Sequence, residues 1–289
     1  MQNFFCPICK TSFTKNVNSL ICEHNHCFDI HKSGYVNLLL SNKMNSKTPG
    51  DNKIMVETRN HFLSKDYYLP LKNALCDAIL KLALKINNRP ITLLDAGCGE
   101  GYYTNAVYNA LTNKNFKDNQ INLFGVDISK VALNFAGKRL QNTSCKLAVA
   151  SVFDIPLPNN SCDILFTLFA PYCGEEFLRV LKKDSYMLMV IPDKKHLFEL
   201  KKIVYENPYE NEVKSEELSG FQFIESKKIS EKICLSSNED IMNLFMIITF
   251  GLANAAVVII GNEIGANREE SAIDASKKIA SLSVKISIL

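Results

Sequence analysis

Three glycines at alternate positions follow a short apolar stretch that ends in an acid. The apolar residues are Leu93 and Leu94, the acid is Asp95, and the glycines are Gly97, Gly99 and Gly101, with Glu100 between the last two. A dinucleotide-binding turn spaces its glycines as G-x-G-x-x-G, so that the backbone can approach a pyrophosphate. The tighter spacing here favours a ligand without phosphate, because glycines leave room for methionine and ribose groups against the main chain. These residues predict a site for S-adenosylmethionine; the alternative is an ordinary glycine-rich turn between a strand and a helix.

A second acid, Asp127, stands at the end of the next apolar stretch, Leu123 to Val126. An acid at the tip of the second strand of a nucleotide-binding fold can accept hydrogen bonds from both ribose hydroxyls. Asp127 could instead cap the helix expected from Lys130, but Ser129 fits that role better, because its hydroxyl directly precedes the helix. We therefore predict that Asp127 binds the ribose.

Two further stretches are assigned: residues 147–158 are predicted to form a third strand and the loop over the adenine, and residues 162–171 a fourth strand. Strands that alternate with helices indicate an α/β fold with a doubly wound, Rossmann-like parallel sheet, and its ligand is expected beyond the carboxyl ends of the strands. Ser151 and Val152 lie within 147–158 and are predicted to border the adenine. Many enzymes that use this cofactor carry an acid where Ser151 stands, so the contact to the adenine amino group stays open.

Cysteine and histidine are concentrated at the start of the chain. The residues concerned are Cys6, Cys9, Cys22, His24, His26 and Cys27. A Cys-x2-Cys pair followed by a second Cys/His pair is the spacing with which short loops surround a tetrahedral zinc ion. Three cysteines, Cys6, Cys9 and Cys22, are the predicted ligands, and the fourth is His26, Cys27 or His24. A segment this short could not bury enough apolar surface to fold without the metal.

The composition is that of an intracellular enzyme. The chain has 289 residues, a formal net charge of +3 and 10 cysteines. This length is enough for one large domain and a smaller one. Cysteines without a secretory leader predict a reducing compartment and argue against a disulfide framework, so we expect a cytoplasmic protein. The small basic excess is compatible with a polyanionic partner.

Short motifs over residues 5–250 form a specific combination. They are CPIC at 6–9, Cys22 with His26, SGYVNLL at 33–39, PGD at 49–51, GCGEGYYT at 97–104, FAP at 169–171, RVL at 179–181 and HLFELK at 196–201. In this combination the chain resembles the RlmA family of 23S ribosomal RNA (guanine-N1)-methyltransferases. The resemblance implies a class I methyltransferase sheet with a small N-terminal zinc-binding domain, S-adenosylmethionine as cofactor and one structural zinc ion.

The same resemblance extends the predicted site. It selects His26 as the fourth zinc ligand, because the family has a histidine four residues after the third cysteine. It implies that Tyr68 and His196 line the cofactor pocket together with Gly99 and Glu100. It also implies a hairpin loop of 23S rRNA as the substrate, no DNA partner, and a homodimer.

Methylation of guanine N1 requires a proton acceptor, since this nitrogen carries a proton at neutral pH. The candidates are the carboxylates of Asp51, Glu100 and Asp163, or water after the base is bound in its anionic form, and the sequence does not choose among them. N1 lies on the Watson–Crick edge, so the target base must lie in a loop or be flipped out of a helix. RNA contacts are expected from the zinc module and the lysine-rich segment 42–53, continuing to Arg59 and Lys65. Deletion of residues 1–40 is expected to abolish RNA methylation while cofactor binding remains largely intact.

The expected organisation has four segments. Residues 1–40 are a zinc-binding RNA-recognition domain, 41–70 a connector, 71–250 the S-adenosylmethionine-dependent methyltransferase domain, and 251–289 an atypical hydrophobic and amphipathic tail. Methyltransferases of this class usually end their sheet with an antiparallel hairpin, and residues 221–225 through 232–235 can supply its first strand.

The C-terminal region departs from this pattern. Residues 241–262 are uncharged and long enough to cross a membrane, so membrane contact is expected only if that stretch inserts. From about residue 251 the chain resembles a fragment of a MATE-type multidrug efflux transporter, which implies a fused or frameshifted reading frame. The alternative is a divergent methyltransferase helix and last strand, 281–289. One hydrophobic stretch cannot build an alternating-access transporter, so transport is excluded as an activity of this chain alone.

Two other functions compete with RNA methylation. A methyltransferase that acts on a small molecule or a protein would share the glycine loop but would have no evident use for the zinc module. An inactive zinc- and RNA-binding protein would be expected to have a damaged cofactor loop, and the loop from Gly97 to Gly101 is intact.

Overall fold

The computed structural model describes residues 4–44, 49–86, 89–204, 208–211, 218–235 and 237–247. The strands are β1 (Phe13–Asn16), β2 (Ser19–Cys22), β3 (Cys27–Asp29), β4 (Tyr35–Asn37), β5 (Ile91–Ala96), β6 (Ile121–Asp127), β7 (Lys146–Val149), β8 (Cys162–Leu168) and β9 (Leu181–Val190). The α-helices are α1 (Lys53–Ser64), α2 (Leu69–Ala83), α3 (Tyr102–Asn113), α4 (Lys130–Arg139), α5 (Gly174–Val180) and α6 (Phe198–Val204), and residues 238–247 are also helical.

Six strands form one parallel sheet in the order β4-β7-β6-β5-β8-β9. Every residue of β5 and β8 is buried, because these central strands are covered on both faces. On one face, Leu93 and Leu123 pack with residues of α2 and α3. The doubly wound parallel sheet predicted from the alternating strands and helices is therefore confirmed, as is the class I methyltransferase fold that the resemblance implied. The carboxyl ends of β5 and β6 come to the same edge.

The N-terminal segment covers part of the other face of this sheet. Phe4 is 1% exposed, and its ring contacts the ring of Phe124 edge-on, with 5.1 Å between the ring centroids. Leu94 and Val126 belong to the same buried cluster. Farther along the segment, β4 adds a strand to the sheet by pairing with β7. Strands β1, β2 and β3 form a separate three-stranded sheet, whereas Phe4 and β4 are part of the packing and pairing of the six-stranded sheet. The expectation that deletion of residues 1–40 leaves cofactor binding largely intact does not fit this arrangement.

The predicted start of an antiparallel hairpin is wrong. Residues 221–225 and 232–235 form no strand. Phe221 instead packs against the buried cluster that contains Phe177, so this segment contributes apolar contacts rather than a sheet edge.

The chain divides into two compact units. The first comprises Met1–Val56, Asp66–Ile191 and Glu216–Glu231, and the second comprises Glu57–Lys65, Pro192–Ser215 and Lys232–Leu289. Within the second unit, the buried Asp240 carboxylate pairs with Lys65 Nζ at 2.5 Å and accepts a hydrogen bond from Ser237 Oγ at 2.7 Å.

The tail resembling a transporter, 251–289, lies outside the described residues, as does most of the uncharged stretch 241–262. Among the residues that the structure describes, no helix is long and apolar enough to cross a membrane.

Candidate functional site

The glycine loop occupies the carboxyl end of β5 in a conformation that requires its glycines. Gly97, Gly99 and Gly101 have φ angles of 89°, 56° and 77°, in the left-handed region that other residues rarely adopt. A Cβ on Gly97 would lie 2.5 Å from Ala170 Cβ, so any side chain would force the loop away from the end of β8. The backbone N–H groups of Gly97 and Cys98 donate to the Val126 carbonyl at 2.9 and 3.0 Å, which fixes the loop to β6.

Asp127 connects the glycine loop to the loop that follows β6. Its Oδ2 accepts a hydrogen bond from the Gly99 N–H at 2.9 Å, and its Oδ1 accepts one from the Ser129 N–H at 2.8 Å. Ser129, not Asp127, caps α4, because its Oγ accepts from the Ala132 N–H at 3.2 Å. The structure thus places the Asp127 carboxylate beside Gly99, where the predicted ribose would lie.

Asp95 is a buried carboxylate that lacks one partner. The Thr104 hydroxyl donates to its Oδ2 at 2.6 Å, whereas Oδ1 has no hydrogen-bond partner among the described residues. Burial raises the pKa of Asp95 to about 7; the hydrogen bond from Thr104 opposes this shift, and the carboxylates of Asp127 and Glu100 add to it. A buried acid with a free oxygen suits a cationic ligand, and S-adenosylmethionine carries both an ammonium and a sulfonium group. The residues at this edge therefore fit the cofactor.

Aromatic residues border the same loop. Tyr68 immediately precedes α2, and burial raises its pKa to about 12. Burial also raises the pKa of Tyr103, with smaller contributions from Tyr68, Tyr102 and Glu100. The buried Tyr103 hydroxyl has no hydrogen-bond partner among the described residues. Tyr103 was not among the site residues predicted from the sequence. Its position two residues after Gly101 was the signal that could have placed it at the site.

The predicted adenine-side residues follow β7 in a tight turn. Ser151 Oγ accepts from the Phe153 N–H at 3.2 Å, and the Ser151 carbonyl accepts from the Asp154 N–H at 3.1 Å. Val152 is partly buried against the core of the sheet. The Ser151 hydroxyl therefore helps to hold the turn, and contact of Ser151 and Val152 with adenine stays a prediction.

His196 belongs to the second unit. Its backbone N–H donates to the Asp193 carbonyl at 2.9 Å, and its carbonyl accepts from Asn211 Nδ2 at 3.3 Å. Burial lowers the pKa of His196, the nearby Lys201 lowers it further and Asp193 opposes this shift, so the neutral imidazole is favoured. The contact of His196 with the cofactor also stays a prediction.

Two of the three candidate proton acceptors, Glu100 and Asp51, lie at the edge of the sheet that carries the glycine loop. Glu100 is buried within the glycine loop. Asp51 lies at the same edge, because its carbonyl accepts a hydrogen bond from Ser129 Oγ at 2.8 Å. Its neighbour Gly50 has a φ of 82° and packs so closely on Ile128 that a Cβ would lie 2.8 Å from Ile128 Cγ2.

Asp163 does not fit the role of proton acceptor. It is the second residue of β8, at the amino end of the strand, whereas the cofactor loop lies at the carboxyl ends. Its oxygens accept from Arg89 at 2.6 and 2.9 Å, from Lys182 at 2.9 and 3.0 Å, and from the Thr92 N–H at 2.9 Å. Burial raises the pKa of Asp163, but the hydrogen bonds from Arg89 and Lys182 outweigh this and lower it overall. Asp163 is a structural ion-pair residue.

The four predicted metal ligands converge in the N-terminal segment. The ligand atoms of Cys6, Cys9, Cys22 and His26 all lie within 4.8 Å of one another. Cys9 Sγ lies 3.5 Å from Cys22 Sγ, and His26 Nδ1 lies 3.3 Å from Cys22 Sγ and 3.5 Å from Cys6 Sγ. Ligands of a tetrahedral zinc at ~2.3 Å for sulfur and ~2.1 Å for nitrogen lie about 3.6–3.8 Å apart. The residues therefore fit one zinc ion, and the Nδ1 atom of His26 is the nitrogen that faces it.

Thr11 supports this cluster and was not predicted. Its hydroxyl lies 3.1 Å from Cys9 Sγ, and this side-chain hydrogen bond is the largest cause that lowers the pKa of Cys9 to about 5. The lowered pKa favours the thiolate form of Cys9, which is the form that binds zinc. Cys27, an alternative fourth ligand, is exposed on β3 and is not part of the cluster.

The fold and both sites define a zinc-ribbon protein with a methyltransferase domain. Residues 4–47 match the family model described as "RlmA, N-terminal", and residues 87–245 match the model described as "Methyltransferase domain". The chain is 31% identical over 205 residues to YxjB of Bacillus subtilis (strain 168), provisionally named a 23S rRNA (guanine-N1)-methyltransferase; the match covers 70% of this chain and 68% of YxjB. It is also 31% identical to the 23S rRNA (guanine(748)-N1)-methyltransferase of Streptomyces fradiae, over 68% of this chain and 65% of that protein.

Among solved structures, the chain is similar to a protein of Methanococcus maripaludis, provisionally described as an S-adenosyl-L-methionine-dependent methyltransferase. It is 18% identical, with a TM-score of 0.38, over 52% of this chain and 70% of that chain. On the match to its curated relatives, this chain belongs to the family of 23S rRNA (guanine-N1)-methyltransferases.

Proposed function

We propose that this protein transfers a methyl group from S-adenosylmethionine to N1 of a guanine in a hairpin loop of 23S rRNA. The observation that carries the proposal is that one unit contains both an intact cofactor edge and a Cys3His cluster. The cofactor edge is the glycine loop 97–101 together with the carboxyl ends of β5 and β6. The relatives of this chain are named for guanine-N1 methylation of 23S rRNA. The proposed substrate places the enzyme in the cytoplasm, and a homodimer is its expected assembly.

The residues of the cofactor edge position two reactants and exclude water. When bound, S-adenosylmethionine supplies an electrophilic methyl group on a sulfonium. Asp127 is proposed to accept hydrogen bonds from the ribose, and the free oxygen of Asp95 to face the positively charged methionine end. Little further chemistry is needed, because in-line transfer depends mainly on holding the methyl group and the nitrogen in contact. Asp51 and Glu100 are the two carboxylates at this edge that are candidates to accept the N1 proton.

Phe169 is the proposed stacking surface for the target guanine. It directly follows β8, its side chain is 48% exposed, and its φ is 54°, which is rare for an aromatic residue. Its N–H donates to the Val190 carbonyl at 3.1 Å, and the next residue, Ala170, packs on Gly97. The structure thus holds an exposed ring beside the cofactor loop at the expense of backbone strain. An unpaired base is commonly bound by stacking on such a ring.

Replacing Phe169 by alanine is expected to lower kcat/KM for the RNA about 10- to 100-fold, since a base stacked on an aromatic ring contributes ~1–3 kcal/mol. The Kd for S-adenosylhomocysteine, measured by calorimetry, should change less than twofold. Phe169→Tyr keeps a ring and should retain most of the activity. Phe223→Ala, at an exposed phenylalanine outside the strand ends, is the matched control. A Phe169→Ala enzyme with unchanged kcat/KM would exclude the stacking role.

The proposed reaction is tested by incubating the protein with methyl-labelled S-adenosylmethionine and unmodified 23S rRNA. We expect label in one hairpin-loop guanine, at N1, where the methyl group blocks Watson–Crick pairing and stops reverse transcription. Label in small molecules or protein, with none in RNA, would favour the competing substrate classes. No transfer to any acceptor, together with normal zinc content and RNA binding, would favour an inactive RNA-binding protein.

A further inference from the structure

We propose that the zinc cluster holds the adenine-side turn, residues 151–156, in its binding conformation through an ion pair between Lys10 and Asp154, so that metal occupancy controls cofactor affinity. The inference rests on the proposed function in one respect, which is that S-adenosylmethionine binds at the carboxyl edge of the sheet. It assigns to the zinc ribbon a role in the cofactor site in addition to contact with RNA.

The adenine-side turn is fastened to the N-terminal segment at two points. Lys10 Nζ lies 3.0 Å from Asp154 Oδ1, and Lys43 Nζ lies 2.6 Å from Asp154 Oδ2, so each carboxylate oxygen has its own lysine. The Phe5 N–H donates to the Pro156 carbonyl at 2.8 Å. Because Asp154 also closes the turn through its N–H to Ser151, these contacts bear directly on the predicted adenine-side residues.

The position of Lys10 depends on the metal-binding loop. Lys10 directly follows the ligand Cys9, and its φ is 58°, in the left-handed region. Its N–H donates to the Cys6 carbonyl at 2.8 Å, and the Cys6 N–H donates to the Thr11 carbonyl at 2.9 Å. This loop is closed around two ligand sulfurs, and small zinc modules lose their fold without the metal. Loss of zinc is therefore expected to release Lys10 from Asp154.

The other end of the turn has an anchor that does not involve the metal. Glu176 Oε1 accepts from the Ile155 N–H at 2.5 Å, and the Arg179 guanidinium donates to the carbonyls of Ile155 and Leu157, at 2.8 Å each. Both side chains belong to α5. The contacts of Arg179 with this turn give a structural role to the arginine of the Arg179-Val180-Leu181 motif. Lys43 still pairs with Asp154 at 2.6 Å after Lys10 is released, so residues 151–154 should loosen only in part while residues 155–157 stay in place. The expected effect on binding is therefore graded rather than a complete loss.

The test measures the Kd for S-adenosylhomocysteine by calorimetry on the zinc-loaded full chain, with zinc content determined for each sample. Lys10→Met is expected to weaken binding about 2- to 5-fold at one zinc per chain, the range expected for one largely exposed ion pair. Lys10→Arg keeps the charge and should restore most of the affinity. The matched control Lys15→Met, at an exposed lysine on β1, should bind as the wild type does.

Removing zinc from the wild type with a chelator should weaken binding at least 10-fold, and should have a smaller effect on Lys10→Met, because part of the coupling is already lost. In steady-state assays, Lys10→Met should raise KM for S-adenosylmethionine and leave kcat unchanged. Zinc-loaded Lys10→Met with wild-type affinity would overturn the coupling while leaving the proposed function intact. Absence of binding by the zinc-loaded wild type would overturn both.

Discussion

Replacing Asp127 by alanine is expected to weaken binding of S-adenosylhomocysteine about 100-fold or more. The carboxylate is the proposed acceptor for two ribose hydroxyls, and hydrogen bonds to a charged group contribute about 1.5–3 kcal/mol each. It also accepts from the N–H groups of Gly99 and Ser129, so the substitution removes the bonds that hold the glycine loop beside the end of β6. Calorimetric titration of the purified, zinc-loaded variant gives the Kd directly.

Asp118 provides the matched control. It lies just before β6, at the amino end of the strand that Asp127 ends, and its carboxylate accepts a hydrogen bond from the Tyr108 hydroxyl. Asp118→Ala should lower thermal stability and leave the Kd within about twofold of the wild-type value, since the expected change lies outside the cofactor edge. An Asp127→Ala variant that binds as tightly as Asp118→Ala would refute the ribose assignment.

The cofactor edge could be predicted from the sequence because its parts are local. A strand, a glycine loop and a helix that are adjacent in the sequence must be adjacent in space, and parallel strands bring Asp95 and Asp127 to one edge. Three zinc ligands, Cys6, Cys9 and Cys22, were predictable for the same reason, since short loops with fixed spacing can meet at one ion. The spacing left the fourth ligand open, and His26 was selected by the resemblance to the family.

Contacts between distant parts of the chain were not predictable in this way. The packing of Phe4 on Phe124 joins residues with no shared pattern, and β4 is only three residues long. The ion pairs that exclude Asp163 as a proton acceptor come from Arg89 and Lys182, on either side of it in the chain. Tertiary packing determines the Phe4–Phe124 contact, β4 and the ion pairs of Asp163. Local sequence propensity does not predict such contacts.

The failed prediction at residues 221–235 has a related cause. Apolar and aromatic residues such as Phe221, Phe223 and Ile224 favour a strand, but a strand needs a neighbour that supplies hydrogen bonds. Residues 251–289, from which the second strand of the hairpin was expected, resemble a different class of protein and lie outside the described residues. In the described structure, Phe223 and Ile224 are exposed and only Phe221 packs against the core.

Deletion of residues 1–40 is expected to prevent folding of the catalytic sheet, so that the remaining chain neither binds S-adenosylhomocysteine nor unfolds cooperatively. The deletion removes β4 and the apolar side chains that cover Phe124, Val126 and Leu94. Those buried side chains include Phe4, Phe13, Leu20, Val36 and Leu38. Each large apolar side chain contributes about 1.5–3 kcal/mol when buried. The sum is comparable to the ~5–15 kcal/mol by which a typical domain is stable.

The full-length variant Cys22→Ser with His26→Ala lacks only the metal site. It distinguishes the effect of losing the metal from the effect of losing the N-terminal side chains that cover one face of the sheet. It retains Phe4 and β4, so it should remain folded and bind S-adenosylhomocysteine with reduced affinity, whereas the deletion should lose binding entirely. Thermal unfolding by circular dichroism and limited proteolysis report the state of the sheet in both proteins. A soluble 41–289 fragment with a cooperative transition and wild-type affinity would show that the N-terminal segment is an independent module. Its packing on Phe124 would then contribute little to stability, and the sheet would have to tolerate an exposed apolar face, which soluble domains rarely do.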